Sequence, residues 1–196
     1  MGLPSISSPR SPYVPPLGGG QPTLLGNPNV ILAADPAPPA GVVPPSQRTA
    51  VTRNLPGFGE AYLDSEFAPK VDDFIKHARN QGVDLEFTSA YRSPEYREYM
   101  INHPKETGTV YPPAKDSLHM AGLAVDVRYR DLGDATQKII RDSAERAGLA
   151  WGGNFAPPDI VHFYSDPAPG GDRQQLIRNF GDQVRTLFVS RMREPL

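Results

Sequence analysis

The segment that organises this sequence is SLHMAGLAVDV, residues 117–127. It sets an imidazole, His119, and a carboxylate, Asp126, seven residues apart. An extended chain at about 3.3 Å per residue would separate them by roughly 23 Å, so they can share one ion only if the chain folds back between them. Gly122 permits such a close turn because it has no side chain to obstruct it. The segment therefore predicts a tight turn that leads into a strand carrying Asp126.

A second segment, WGGNFAPPDIVHF at residues 151–163, supplies a further candidate ligand, His162. Two prolines hold Asp159 at the mouth of a short predicted strand that contains His162. Two imidazoles and one carboxylate are the usual three-ligand set of a catalytic zinc, with the fourth position left for water. A further carboxylate near that water can act as a general base. Because the chain has no cysteine, any metal site must use His, Asp or Glu.

Around these segments the spacing of apolar residues predicts an alternation of helices and strands. The predicted helices cover residues 65–81, 94–101, 134–147 and 176–187, and the predicted strands cover residues 83–88, 123–129 and 160–164. The loops between them are too irregular for repeating β-α-β units. The sequence therefore predicts an α+β domain in which helices pack against a small, antiparallel-rich sheet.

The first part of the chain differs in composition from the rest. Twelve of the 23 prolines lie in residues 1–50, together with three consecutive glycines at 18–20 and only three charged residues. Proline removes backbone donors and disfavours helix, so this stretch cannot build a core of its own. We therefore divide the chain into a Pro/Gly-rich leader over residues 1–59, extended or disordered, and a domain over residues 60–196.

Charge and hydropathy exclude two broad classes of function. Twenty Lys and Arg stand against 22 Asp and Glu, so no basic excess exists to neutralise nucleic-acid phosphates. The longest apolar runs, such as residues 30–34, are far shorter than the roughly 20 residues of a membrane span.

Residues 1–16 lack the apolar centre of a secretory signal peptide. We expect export by a route other than Sec, or release by lysis, and action in the periplasm or cell wall.

Three motifs follow one another along the chain. They are Ser-x-Tyr-Arg-Ser at residues 89–93, Ser-x-His-x-x-Gly-x-Ala-x-Asp at residues 117–126, and Trp-Gly-Gly followed by Asp-x-x-His-Phe within residues 151–163. Together they resemble the zinc peptidoglycan peptidases, the endolysin-like family of D-Ala-D-Ala carboxypeptidases and L-alanyl-D-glutamate endopeptidases. The likeness spans about residues 67–167. It implies a Hedgehog-like, D-Ala-D-Ala peptidase-like fold and hydrolysis of an amide bond in the peptidoglycan stem peptide.

The resemblance also implies a role for each residue of the site. His119, Asp126 and His162 would hold one zinc ion, and Asp159 would be the catalytic base. Arg92 would bind the scissile carbonyl and stabilise the developing oxyanion, a role that suits a fixed cation beside a metal. Ser117 would support the ligands from the outer shell or contact the substrate, and Trp151 would be a wall of the cleft. Tyr91, to which the resemblance assigns no role, is a candidate for stacking on the substrate. From residue chemistry alone, Asp159 equally fits a turn cap, and Trp151 and Tyr91 equally fit packing positions.

The bond that is cut is indicated by the residues around the base. Family members that remove terminal D-Ala often carry Glu-x-x-His, whereas the endopeptidases resemble this chain in having Trp-Gly-Gly and Asp-x-x-His-Phe. The L-alanyl-D-glutamate endopeptidase is therefore favoured, with D-Ala-D-Ala carboxypeptidase as the alternative. One departure is that the family commonly has a Gln where this chain reads Pro94 to Arg97. Arg97 would add a cation near the substrate groove and alter subsite preference.

A function without catalysis is the alternative of another class. The domain would then be a module that binds peptidoglycan or metal without turnover, or a Hedgehog-like zinc domain acting as a ligand. Asp159 and Arg92 favour the enzyme, because binding alone needs no base.

The leader segment LGNPNVI, residues 25–31, is weakly similar to phrases of proline-alanine-alanine-arginine-type spike-tip proteins. This suggests an antibacterial effector with a secretion-spike or immunity partner, and a phage lysin fits the missing signal equally well.

Overall fold

The computed structural model describes residues 47–109, 112–167 and 172–192. Within these residues, helices and antiparallel strands alternate, and the predicted α+β class is confirmed. The strands are β1 (Ala50–Leu55), β2 (Gly59–Asp64), β3 (Phe87–Ser89), β4 (Ala124–Val127), β5 (Ala150–Trp151) and β6 (His162–Tyr164). The helices are α1 (Ala68–Arg79), α2 (Pro94–Asn102), α3 (Pro104–Thr107), α4 (Asp134–Arg146) and α5 (Arg173–Met192), and a 3₁₀ helix spans Leu118–Ala121.

Strands β1 and β2 form an antiparallel hairpin that the sequence analysis missed. Ala50 pairs with Asp64 at its open end, where the buried ion pair between Arg48 Nη1 and Asp64 Oδ1, 2.9 Å apart, ties the two strands together. The leader boundary predicted at residue 59 is therefore wrong, because residues 48–59 are part of the folded domain. The overlooked signal is Pro56-Gly57, a turn pair between two strand-forming segments.

A second sheet carries the four remaining strands in the order β3-β4-β6-β5, and each neighbouring pair is antiparallel. All four residues of β4 are buried. The strands are shorter than predicted. Residues 83–86 lie outside β3, whose paired residues are Phe87 with Val127 and Ser89 with Asp126. The regular pairing of the sheet is thus centred on β4 and β6.

The helices cover this sheet and complete the core. Phe74 of α1 packs against Phe163 of β6 and Phe87 of β3, with ring centroids 5.2 and 6.4 Å apart, and all three side chains are buried. The predicted helices are confirmed to within a few residues. In the described part of the chain, no helix is both long and apolar enough to cross a membrane.

Helix α5 packs over the 3₁₀ helix through the ring of Phe180. Gly122 ends that 3₁₀ helix with a φ of 66°, in the left-handed region that favours glycine. A Cβ at Gly122 would lie 2.2 Å from the Phe180 ring, so the close approach requires glycine for a second reason. The tight turn predicted at Gly122 is confirmed, and its packing partner comes from a distant helix that the segment itself does not reveal.

Candidate metal centre

Two antiparallel strands and one turn bring the candidate ligands together. Asp126 of β4 lies directly opposite His162 of β6 in the strand register, so their side chains are neighbours across the sheet. His119 comes from the 3₁₀ helix. The Gly122 N–H donates to the His119 carbonyl at 3.2 Å, which returns the chain toward β4. The chain thus folds back between His119 and Asp126, as it must if these two residues are to share one ion.

The three ligand atoms form a nearly equilateral triangle. His119 Nε2 lies 3.1 Å from His162 Nδ1 and 3.2 Å from Asp126 Oδ1, and His162 Nδ1 lies 3.2 Å from the same oxygen. All three side chains are buried. Zinc at bonds of about 2.0–2.1 Å holds tetrahedral ligand atoms about 3.3 Å apart. The distances between the three ligand atoms therefore match those expected around a single zinc ion.

Hydrogen bonding shows why this triangle suits a cation. His119 Nδ1 lies 2.7 Å from the Ala90 carbonyl oxygen, which can only accept, so we assign the imidazole proton to Nδ1. His119 Nε2 then directs a lone pair toward Asp126 Oδ1, which is also an acceptor. A bound cation satisfies both acceptors at once, and the Ala90 carbonyl orients the imidazole as an outer-shell partner does in metal sites. The residues fit zinc.

The charge states agree with this assignment. Burial and, after it, the neighbouring Arg92 cation lower the pKa of His119 to about 4 although Asp126 raises it, so the imidazole is neutral at neutral pH. Burial alone would raise the pKa of Asp126, but His119, His162 and Arg92 outweigh it and hold that pKa well below the ordinary value. Neutral imidazole and ionised carboxylate are the forms that bind a metal.

Arg92 is fixed beside the metal centre. Its Nη2 donates to Asp126 Oδ2, its Nε donates to Ser89 Oγ at 2.9 Å, and its backbone N–H donates to the His119 carbonyl at 3.3 Å. Asp126 therefore uses one carboxylate oxygen toward the two imidazoles and the other toward the guanidinium. The sequence predicted a cation beside the metal but not its pairing with a ligand. Its action on the substrate carbonyl stays a prediction.

Asp159 sits in the loop over residues 152–161, half-buried, three residues before His162. Its N–H donates to the Gly152 carbonyl at 2.9 Å, and its carbonyl accepts from the His162 N–H at 3.2 Å. A Cβ at Gly152 would lie 2.6 Å from the Asp159 carbonyl oxygen and 2.9 Å from His162 Cβ. The first glycine after Trp151 is thus needed so that the loop can close against the strand, and the role of Asp159 as base stays a prediction.

The predicted substrate contacts occupy different surroundings. Trp151 donates from Nε1 to the Ile160 carbonyl at 2.8 Å, and the Arg141 guanidinium lies 5.1 Å from its ring centroid. Tyr91 packs 5.3 Å from the Phe180 ring, and burial raises its pKa to about 12. Ser117 is half-buried at the start of the 3₁₀ helix. Their roles toward a substrate stay predictions.

Arg97 is paired with neighbouring groups. Its Nε and Nη2 donate to the carbonyls of Ala114 and Pro113 at 2.9 and 3.0 Å, and its Nη1 donates to Glu98. The guanidinium therefore anchors the segment that leads to Ser117, and its charge is paired with a carboxylate. The effect of Arg97 on the preference of the substrate groove stays a prediction.

A small antiparallel sheet and a turn thus present two imidazoles and a carboxylate that together fit a metal ion, with a further acid in the adjoining loop. Residues 60–151 match the profile of the VanY family, described as D-alanyl-D-alanine carboxypeptidase. This segment contains Arg92, His119 and Asp126 and ends before Asp159 and His162. The match confirms the predicted resemblance to the zinc peptidoglycan peptidases, which are metallopeptidases.

Two solved structures are similar to the chain. The D,D-pentapeptidase VanY of a VanB-type vancomycin resistance cassette, in complex with Zn(II), is 18% identical with a TM-score of 0.45 over 61% of this chain and 80% of that one. The L-Ala D-Glu endopeptidase ChiX of Serratia marcescens is 21% identical with a TM-score of 0.37 over 51% of this chain and 84% of that one. No curated protein matches the sequence.

Proposed function

We propose that the protein is a zinc-dependent peptidoglycan hydrolase that cleaves the L-alanyl-D-glutamate bond of the stem peptide. The observation that carries the proposal is the triangle of His119, Asp126 and His162, with Asp159 on the loop that leads into His162. The VanY-family match over residues 60–151 supports peptidoglycan as the substrate class. The Trp-Gly-Gly and Asp-x-x-His-Phe motifs favour the endopeptidase within that class.

The proposed chemistry is hydrolysis of an amide. A bound zinc ion would supply Lewis acidity, lowering the pKa of its water and polarising the scissile carbonyl. Asp159 accepts the proton of the attacking water and donates it to the leaving amine. Its backbone bonds to Gly152 and His162 keep the carboxylate-bearing residue at a constant position relative to a metal ligand.

Arg92 serves two purposes in this proposal. It fixes Asp126 by binding Oδ2, so that Oδ1 stays directed toward His119 and His162. As a half-buried guanidinium beside the ligands, it also stabilises the negative charge that develops on the carbonyl oxygen during attack. Neither purpose requires movement of the side chain, because Ser89 and Asp126 already hold it.

The second candidate is removal of the terminal D-Ala residue. The observation in its favour is that the matched family profile is described as D-alanyl-D-alanine carboxypeptidase. Both reactions attack the carbonyl of an alanyl residue, which is L-Ala in one and D-Ala in the other, and they release the amine of D-Glu and of D-Ala, respectively. Product analysis therefore separates them.

The test is mass spectrometry of purified muropeptides after incubation with zinc-loaded protein and with the Asp159→Asn variant. The endopeptidase proposal predicts fragments ending at L-Ala together with peptides that begin with a free D-Glu amine, and no such products from the variant. Loss of terminal D-Ala would move the activity to the carboxypeptidase. Bound zinc with no product from either protein would overturn hydrolysis and favour a binding module.

We also infer that the protein acts in the periplasm or cell wall, where this substrate lies, as a secreted effector or a phage lysin. The leader segment over residues 25–31 that suggests a spike partner lies outside the described residues. Periplasmic expression behind a Sec signal should lyse the host, whereas cytoplasmic expression and periplasmic Asp159→Asn should not. Lysis from the cytoplasm alone would contradict this site of action.

A further inference from the structure

A large apolar side chain lies exposed beside a metal ligand. Phe155 is 41% exposed, and its ring centroid is 5.8 Å from that of His162. Tyr164 lies 5.2 Å from Phe155 and 5.4 Å from His162. We name the pair of Phe155 and Tyr164 the aromatic shelf. The shelf borders the imidazole of this candidate metal ligand.

The shelf is held by the loop rather than left free. The Phe155 N–H donates to the Gly152 carbonyl at 3.0 Å, and the Trp151 indole ties the other end of the loop to Ile160 at 2.8 Å. Exposing this much of a phenylalanine leaves apolar area in water that a ligand can cover. Val189 is exposed to a similar extent, 38%, but lies on α5. Exposure alone therefore does not distinguish Phe155 from Val189. Phe155 differs because it lies on an anchored loop beside a candidate metal ligand.

We propose that the aromatic shelf is a specificity site for the methyl group of the alanyl residue that supplies the scissile carbonyl. This inference rests on the proposed function, in which that residue is L-Ala. That methyl carbon is two bonds from the carbonyl carbon, about 2.5 Å away. The ring centroids of Phe155 and His162 are 5.8 Å apart, so a carbonyl at the ligand triangle has its methyl group within reach of the Phe155 ring when that group points toward His162.

The chemistry of the shelf selects this occupant over the neighbouring groups of the substrate. Its exposed surface is that of an apolar ring, which gains free energy by covering a methyl group and loses it by desolvating a carboxylate. The D-Glu side of the scissile bond carries carboxylates. Phe155 therefore suits the acyl side, and the alanine methyl is the apolar group there that lies nearest to the reacting carbon.

The test compares two synthetic stem peptides that differ only by Ala or Gly at the residue supplying the carbonyl of the bond that wild type cuts. Wild type should prefer Ala over Gly in kcat/KM by about fivefold, the effect of covering one methyl group at a partly open site. Phe155→Ala should bring that ratio to about one, chiefly by raising KM for the Ala peptide. Phe155→Leu should keep part of the preference, and Val189→Ala should leave it unchanged.

Zinc content and thermal unfolding of each variant separate this role from a structural one. Equal losses of kcat/KM on both peptides, together with lost zinc, would show that Phe155 only supports His162 and would overturn the proposal. An unchanged Ala-to-Gly ratio in a zinc-loaded Phe155→Ala would also overturn it. If wild type cleaves neither peptide while zinc is bound, the proposed function itself fails, and this inference fails with it.

Discussion

The metal ligands and the loop over residues 152–161 adjoin one another, yet they are held in different ways. His119, Asp126 and His162 are buried and are fixed by the strand register of β4 with β6 and by the turn at Gly122. The loop carries Asp159 half-buried and Phe155 exposed, and its described bonds run through backbone groups and the Trp151 indole. The ligands thus belong to the core, whereas the candidate base and shelf belong to the surface.

This difference separates two properties that are usually lost together. Metal binding depends on residues that the core positions before any substrate arrives, so it should survive changes in the loop. The proposed base and the proposed specificity site both lie on the loop, so we expect changes there to alter turnover and substrate preference. Substitutions in the ligand set and in the loop should therefore have different effects on zinc binding and turnover.

The largest effect should come from the core side. Replacing His162 by Ala removes one of three ligands and leaves a buried carboxylate and imidazole without their shared cation. Bound zinc, measured by inductively coupled plasma mass spectrometry, should disappear, and muropeptide turnover should fall at least about 10³-fold, because the pKa of the attacking water is no longer lowered. His103→Ala, which changes an exposed histidine, should keep both. Full zinc binding in His162→Ala would contradict the ligand assignment.

On the loop side, Asp159→Asn should separate binding from turnover. The amide cannot accept a proton, so kcat should fall by about 10²–10⁴-fold, the usual contribution of a positioned acid or base. Zinc affinity, followed by competition with a chromophoric chelator, should stay within a factor of two or three, because Asp159 is outside the ligand triangle. Unchanged kcat would leave Asp159 as a turn residue only.

Acid should destabilise the metal-free core. His119 has a folded pKa of about 4, below the ordinary value of 6.5, so between these values the unfolded chain binds more protons than the folded one. The free energy of unfolding should therefore fall as the pH falls through this window, by up to about 3 kcal/mol. Urea unfolding of the metal-free protein at pH 7.5 and 4.5 measures it. A stability that rises toward pH 4.5 would refute the buried neutral imidazole.

A smaller effect should arise where the two regions meet. Gly152→Ala places a Cβ 2.6 Å from the Asp159 carbonyl oxygen, and backbone must move to accept it. We expect a loss of about 1–3 kcal/mol in the free energy of unfolding, measured with urea, and a lower kcat. Gly133→Ala is the matched control, since nothing lies within 4 Å of a Cβ there and its φ is −66°. Equal stability of the two variants would show that the loop closes without Gly152.

The sequence indicated the candidate ligands through two short motifs and through the resemblance of those motifs to the zinc peptidoglycan peptidases. His119 and Asp126 lie on either side of the turn at Gly122, and His162 lies three residues after Asp159. What it did not predict depends on residues far apart in the chain. The Ala90 carbonyl that orients His119, and the Phe180 ring that packs on Gly122, come from segments 29 and 58 residues away.

The β1–β2 hairpin was missed for a related reason. Its strands gain stability from pairing with each other and from the Arg48–Asp64 ion pair, which a proline count over the leader does not register. Phe155 was missed because a single aromatic residue in a Pro/Gly-rich loop has no periodicity. Its candidate role follows only from the structure, in which its ring lies beside those of His162 and Tyr164.

The most direct test of the account is a zinc titration of the metal-free protein against a fixed amount of stem peptide, with product formation followed by mass spectrometry. Three convergent ligands around one site predict that the rate rises in proportion to added zinc and stops rising at one equivalent. Asp159→Asn should bind the same one equivalent and form almost no product. Turnover by the metal-free protein, or a rate that keeps rising to two equivalents, would contradict a single zinc centre served by the loop.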